Sequence, residues 1–146
     1  FVWFGKIYSS LLVKALPKLL PSNLKFTGYV ENIRAAFNAL DIFIFPSHEE
    51  NQGMVILEAA AIGLPVIVRD LPVYQGWLVD GENCLKAKTE SELAVCLSRL
   101  ISDQSLRQRL AQNAKQLAAT ESLPILAKRL RIIYNNLTTF ITDEYR

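Results

Sequence analysis

Histidine occurs once in this chain and cysteine twice, and Cys84 and Cys96 stand at no spacing that a metal would use. A zinc or iron–sulphur centre is therefore close to excluded, and neither a metal nor another resident cofactor is expected. So few thiols read as a reduced, cytoplasmic protein, with both cysteines serving as small buried side chains. Charge of one sign is also scarce: the net value is +2, which calls for no nucleic-acid partner. No run of about eighteen apolar residues occurs and no signal-peptide pattern, so no membrane span is expected. Internal repeats and low-complexity segments are missing too. An initiating methionine is absent: the chain opens in Phe1-Val2-Trp3-Phe4-Gly5, an apolar run that reads as a buried strand and suggests that a segment was removed upstream.

What the chain does have is 146 residues, 51% of them hydrophobic and 21% charged, enough for one ordinary globular domain with a real core. Strand-like runs recur at Phe1 to Phe4, Leu24 to Thr27, Ile42 to Phe45 and Val66 to Val68, with helically spaced segments between them. Alternating strand and helix predicts an α/β fold, a Rossmann-like parallel sheet flanked by helices. Gly63-Leu64-Pro65 is expected to stop one helix and start the fourth strand, with Gly63 in a left-handed C′ position. Thr89 reads as an N-cap, with Glu92 completing a capping box. Extra helices follow at the C-terminus, one over Asp103 to Ala118 and one over Ser122 to Ile141.

In open sheets of this kind ligands bind beyond the carboxyl ends of the strands. Two loops stand there, Gly28-Tyr29-Val30 and the stretch from Pro46 to Gly53. The second leads into Glu50-Asn51-Gln52-Gly53-Met54-Val55-Ile56-Leu57-Glu58, where two carboxylates bracket a glycine at the expected start of a helix. The first-turn N–H groups of Gly53, Met54 and Val55 have no intrahelical partners and suit phosphate oxygens, while carboxylates accept hydrogen bonds from sugar hydroxyls. Taken singly, Glu50 is a solvated loop acid and Glu58 an exposed helix residue. The neighbours Leu57 and Ala59-Ala60-Ala61 shift that balance: they predict burial of Glu58, and a buried carboxylate needs a partner. The pattern points to a nucleotide-sugar site.

Phe26-Thr27-Gly28-Tyr29-Val30, Asp41-Ile42-Phe43-Ile44-Phe45-Pro46-Ser47, Glu50 to Glu58 and Gly63-Leu64-Pro65-Val66-Ile67 together resemble the C-terminal, donor-binding domain of retaining GT-B glycosyltransferases of the family-four type. The resemblance covers roughly Phe1 to Ala118. His48-Glu49-Glu50-Asn51-Gln52-Gly53, followed by Arg69-Asp70-Leu71-Pro72-Val73-Tyr74, is further similar to glucosyltransferases acting on diacylglycerol in Gram-positive bacteria. The resemblance implies that residues 1–146 form a nucleotide-sugar (donor) domain truncated at its N-terminus, with the acceptor domain and a basic Arg and Lys segment absent. It implies transfer of a hexose, with UDP-glucose as donor and a glycolipid as acceptor. Glu50 would be the catalytic-site residue at the hexose and Glu58 would bind ribose hydroxyls. The amides of Asn51, Gln52, Gly53, Met54 and Val55 would face sugar and diphosphate, and Tyr29 and Val30 the nucleobase. The same architecture also serves a nucleotide-sugar sensor without turnover and sugar-nucleotide epimerases, and both readings stay open.

His48 could reach a phosphate or hydroxyl from the same loop, though a lone loop histidine is more often simply exposed. Lys6, after the first strand, has a surface position as its commoner fate and a phosphate contact as the alternative. Leu11, Leu12, Leu16, Leu19 and Leu20, with Lys14 and Lys18, form a stripe that packs in a core or lies on anionic lipid, the source of an expected peripheral membrane contact. Leu126, Leu130, Ile133, Leu137 and Ile141 pose the same choice on the last helix. In GT-B enzymes that helix returns toward the N-terminal domain, so the resemblance implies an unfilled interface.

Overall fold

A computed structural model describes residues 1–5 and 21–144, and the side chains of residues 137–144 lie outside the description. Lys6 and the leucine stripe from Leu11 to Leu20 also fall outside the described residues. The chain divides into two compact units, Phe1–Ala39 and Leu40–Arg146.

In the first unit β1 (Val2–Phe4) pairs in parallel with β2 (Lys25–Gly28), one residue later than the apolar run suggests, and α1 (Ile33–Asn38) follows. Asn32 caps this helix by accepting the Ala35 N–H at 3.0 Å. The opening run is a strand but not a buried one: Phe1, Val2 and Trp3 are 62, 45 and 52% exposed. Its one paired neighbour among the described residues is β2, and a two-stranded ribbon covers little of either face.

The second unit holds a three-stranded parallel sheet in the order β3 (Phe43–Phe45), β4 (Val66–Arg69), β5 (Leu85–Ala87). The elements between and after these strands are α2 (Met54–Ile62), a 3-10 turn at Pro72–Tyr74, α3 (Glu90–Ser102), α4 (Gln104–Thr120) and α5 (Leu123–Glu144). β4 is central and buried along its whole length, which explains why it reads as a continuous apolar run rather than an alternating one. β5 has no such signature. Lys86 sits at its centre, and only the burial of Leu85 and Ala87 on either side marks it as a strand.

Helices flank this sheet. α3 packs on β4 and β5, and α2 packs on α4. The core between them is Ile67, Leu85, Ala87, Cys96, Leu100, Leu106 and Leu110, with Ile42, Ile44, Leu93 and Leu97 at its margin. Gly63 takes the left-handed conformation (φ 91°) and ends α2 as its sequence predicts, its N–H returning to Ala60. The Thr89 hydroxyl accepts the Glu92 N–H at 3.2 Å, but the Glu92 carboxylate reaches one residue further back than a capping box requires, to the Lys88 N–H at 2.6 Å. On α5, Leu130 and Ile133 are 53 and 54% exposed and Leu126 is half-buried.

Cys84 and Cys96 are free and buried. Burial pushes the Cys84 thiol up to about 12, against an opposing pull from Lys86. Alkylation of the native chain near pH 8 should leave Cys84 unmodified and label it only after unfolding, which peptide mapping with and without urea checks. A raised thiol pKa means that the folded chain holds the proton. Its contribution to stability is therefore complete below pH 9, the ordinary value, and is lost as pH rises toward 12.

Candidate functional site

The loop from Pro46 to Gly53 runs from the carboxyl end of β3 to the start of α2. It must turn the chain into a helix within a few residues, and Gly53 makes that turn in the left-handed region (φ 74°, ψ 40°). The first helical bond runs from the Ile56 N–H to the Gly53 carbonyl at 2.9 Å, so the N–H groups before it point out of the helix end. A Cβ at Gly53 would lie 2.9 Å from Ile56 Cδ1 and 3.0 Å from Tyr74 Cε1. The loop is thus seated directly on an isoleucine and a tyrosine ring.

Glu50 folds over this helix end. Its Oε1 accepts the Asn51 N–H at 2.8 Å and the Gln52 N–H at 3.3 Å. Those two donors hold its carboxyl below the ordinary 4.5, with burial pushing back and the Gly53 N–H adding a last share. At neutral pH an ionised carboxylate therefore rests on these two amides. Gly53 is buried, Val55 half-buried, and Asn51, Gln52 and Met54 exposed.

Glu58 differs from its expected state: it is exposed. The reason is helical phase. Ile56, Ala59 and Ala60 form the buried face of α2, and Glu58, two positions after Ile56, projects roughly 200° away from it. The alanines signal close packing of one face and say nothing of the other. Glu58 is thus a carboxylate open to solvent, one helical turn after Met54 and on the element that Gly53 begins.

Tyr29 (73% exposed) and Val30 (half-buried) belong to the first unit, whereas Glu50 to Glu58 and His48 belong to the second. His48 is exposed but not isolated. Its Nε2 lies 3.4 Å from Arg69 Nη2, and since a guanidinium only donates, the imidazole nitrogen is the acceptor.

Arg69 is a residue that sequence reasoning passed over. It ends β4, is 8% exposed, and spreads its donors over three segments: Nε to the Pro46 carbonyl at 3.2 Å, Nη1 to the Lys88 carbonyl at 2.8 Å, and Nη2 to Glu90 Oε1 at 3.0 Å. It therefore fastens the start of the Glu50 loop to the end of β5 and the first turn of α3. Tyr74 was passed over as well. It is fully buried, meets the edge of Trp77 at 5.6 Å and 82°, and its hydroxyl has no hydrogen-bond partner. Burial and then the Glu50 charge push its hydroxyl up to about 12. A buried hydroxyl without a partner costs about 1–3 kcal/mol. The one available signal was the run Arg69-Asp70-Leu71-Pro72-Val73-Tyr74 itself, which shows neither contact because both partners lie far away along the chain.

With this geometry in hand, comparison with known proteins identifies relatives. The family model described as "Glycosyl transferases group 1" matches residues 7–117. The chain is 30% identical over 142 residues to a processive diacylglycerol alpha-glucosyltransferase of Acholeplasma laidlawii, covering 94% of this chain and 42% of that protein. It is 36% identical over 122 residues to a D-inositol 3-phosphate glycosyltransferase of Corynebacterium efficiens, covering 77% and 27%. Among solved structures, the C-terminal domain of a glycosyl transferase group 1 family protein (LpcC) of Francisella tularensis superposes with a TM-score of 0.64 at 33% identity, over 75% of this chain and 59% of that one. The Anabaena protein Alr3699/HepE, solved in complex with UDP-glucose, gives 0.78 at 22% identity over 94% and 40%, a likeness of fold. The architecture is that of a GT-B C-terminal domain, and the chain spans less than half the length of the curated relatives named here.

Proposed function

Because the chain belongs to the group 1 glycosyl transferases, we propose that it supplies the donor half of a retaining hexosyltransferase, with UDP-glucose as the donor and a glycolipid or diacylglycerol as the acceptor. The observation that carries this reading is the Glu50 carboxylate resting on the Asn51 and Gln52 amides: an anion already occupies main-chain donors of the loop just ahead of the helix that Gly53 begins, where a diphosphate or sugar oxygen would sit. In this reading the N–H groups from Asn51 to Val55 take sugar and diphosphate oxygens, and preorganised main-chain donors and the helix dipole stabilise the leaving diphosphate without a metal. Glu50 then orients the hexose. The exposed Glu58 carboxylate accepts ribose hydroxyls and His48 a phosphate or hydroxyl.

The name of the Acholeplasma relative supports glucose as the sugar and a lipid as the acceptor. The acceptor would be held by sequence outside this chain, and its lipid part would bring the whole protein to the inner face of a membrane. No helix among the described residues is long and apolar enough to cross one.

Calorimetric titration with UDP-glucose, UDP and GDP-mannose, with EDTA present throughout, tests the reading. Uridine ligands should bind selectively. Glu58→Ala should weaken both of them by about tenfold, as expected for a lost charge-assisted hydrogen bond, whereas Glu50→Ala should weaken UDP-glucose and leave UDP bound at least as tightly as before. Equal affinity of both variants and the parent chain for UDP-glucose would defeat the assignment.

A further inference from the structure

Two features of the site stand unexplained side by side. Glu50 Oε1 holds the Asn51 and Gln52 N–H groups, so a ligand that needs those donors must first displace a carboxylate. A displaced carboxylate needs a donor of its own. Among the described residues, the one buried side-chain polar atom with no partner is the Tyr74 hydroxyl.

Tyr74 lies where such a donor would be useful. Its Cε1 is 3.0 Å from the position a Cβ would take on Gly53, and Oη is borne by the adjoining ring carbon, so the hydroxyl lies close to Gly53, three residues after Glu50 in the same loop. The ring is fixed there by the 3-10 turn at Pro72–Tyr74, whose closing bond runs from the Tyr74 N–H to the Leu71 carbonyl at 3.1 Å, and by the edge contact with Trp77. His48, on the same loop, is engaged with Arg69. A phenylalanine would fill the same space, and the hydroxyl therefore adds nothing to packing.

We propose that the Tyr74 hydroxyl is the second resting place of the Glu50 carboxylate. When a phosphate or sugar oxygen takes the N–H groups of Asn51 and Gln52, one carboxylate oxygen of Glu50 turns inward and accepts the Oη–H of Tyr74, which leaves its other oxygen to the hexose. The pair makes the helix end a two-position switch: closed on its own carboxylate without ligand, and opened at reduced cost because the departing carboxylate gains a donor. The inference rests on the donor-site reading above and names how that site is opened. The hydroxyl's response to the Glu50 charge is in keeping with their proximity.

The test is a double-mutant cycle on the full chain, Tyr74→Phe against Glu50→Ala, read by thermal melting without ligand and by titration with UDP-glucose and with inorganic pyrophosphate. Tyr74→Phe should melt at or above the parent temperature, since it removes an unpartnered hydroxyl, and should bind both ligands about tenfold more weakly. In the Glu50→Ala background Tyr74→Phe should cause no further loss. Equal binding by the parent chain and Tyr74→Phe overturns the inference and leaves the proposed function standing. Loss in Tyr74→Phe that persists undiminished without Glu50 also overturns it, as does a marked fall in melting temperature, which would mean that the hydroxyl already has a structural bond. Pyrophosphate binding that depends on Tyr74, with no affinity for UDP-glucose, removes the proposed function and keeps the switch. No binding of either ligand by the parent chain removes both.

Discussion

Gly53→Ala should destabilise the second unit by about 2–5 kcal/mol and abolish the ligand binding proposed for the helix end. Two costs add. A non-glycine residue at φ 74° carries about 1–2 kcal/mol of left-handed strain. The new methyl would also meet Ile56 Cδ1 at 2.9 Å and Tyr74 Cε1 at 3.0 Å. The isoleucine terminus can rotate away. The tyrosine ring cannot, because it is wholly buried against Trp77, and overpacking of that kind costs about 1–3 kcal/mol. Urea unfolding with an unchanged m-value would report the loss as a lower midpoint. A change below about 0.5 kcal/mol would show that the turn relaxes into a right-handed conformation, and the seat assigned to Gly53 would be wrong.

Gly53 also shows what the sequence could and could not convey. A glycine before a helical run is legible as a turn with exposed amides, because that follows from local backbone chemistry. The same holds for Gly63 at the end of α2, for Thr89 ahead of α3, and for the buried run of β4. Glu58 marks the limit. Its neighbours are small and apolar, yet only the phase of α2 against α4 decides which side of the helix is covered, and Glu58 falls on the open one. β5 was missed for a related reason: three residues with a lysine in the middle become a strand only because β4 lies beside them. The exposed face of β1 is the converse, an apolar run whose cover is not supplied by its paired strand.

The family resemblance located the helix end but not what holds it in place. Tyr74 and Arg69 act on the loop from 21 or more positions away along the chain, and no periodicity records such a contact. The division of labour is physical. The main-chain donors proposed to face a ligand come from the local turn at residues 50–55, whereas the stiffness of that turn comes from residues at the ends of β4 and β5. A motif of neighbouring residues carries the first kind of information only.

Arg69→Met should therefore be the second large effect, a loss of about 2–3 kcal/mol, although the methionine fills much of the same space. The loss comes from the carbonyls of Pro46 and Lys88, which lose their donors in a part-buried place. The ion pair with Glu90 is a poor candidate for it: the Glu90 side chain is 78% exposed and returns to water when the guanidinium goes. Glu90→Gln consequently serves as the control and should change the unfolding midpoint far less. Arg69→Lys should resemble Arg69→Met more than the parent, since one ammonium on a flexible stem cannot reproduce a planar fork that serves carbonyls in two separate segments. Amide exchange gives the site-level readout. Releasing the Pro46 carbonyl and His48 frees the start of the loop, so the Asn51 and Gln52 N–H groups should exchange faster in Arg69→Met than in Glu90→Gln. If Glu90→Gln matched Arg69→Met in both measurements, the ion pair rather than the main-chain bonds would be holding the loop. The assignment of Arg69 as the fastening between β4, β5 and the loop from Pro46 to Gly53 would then fall.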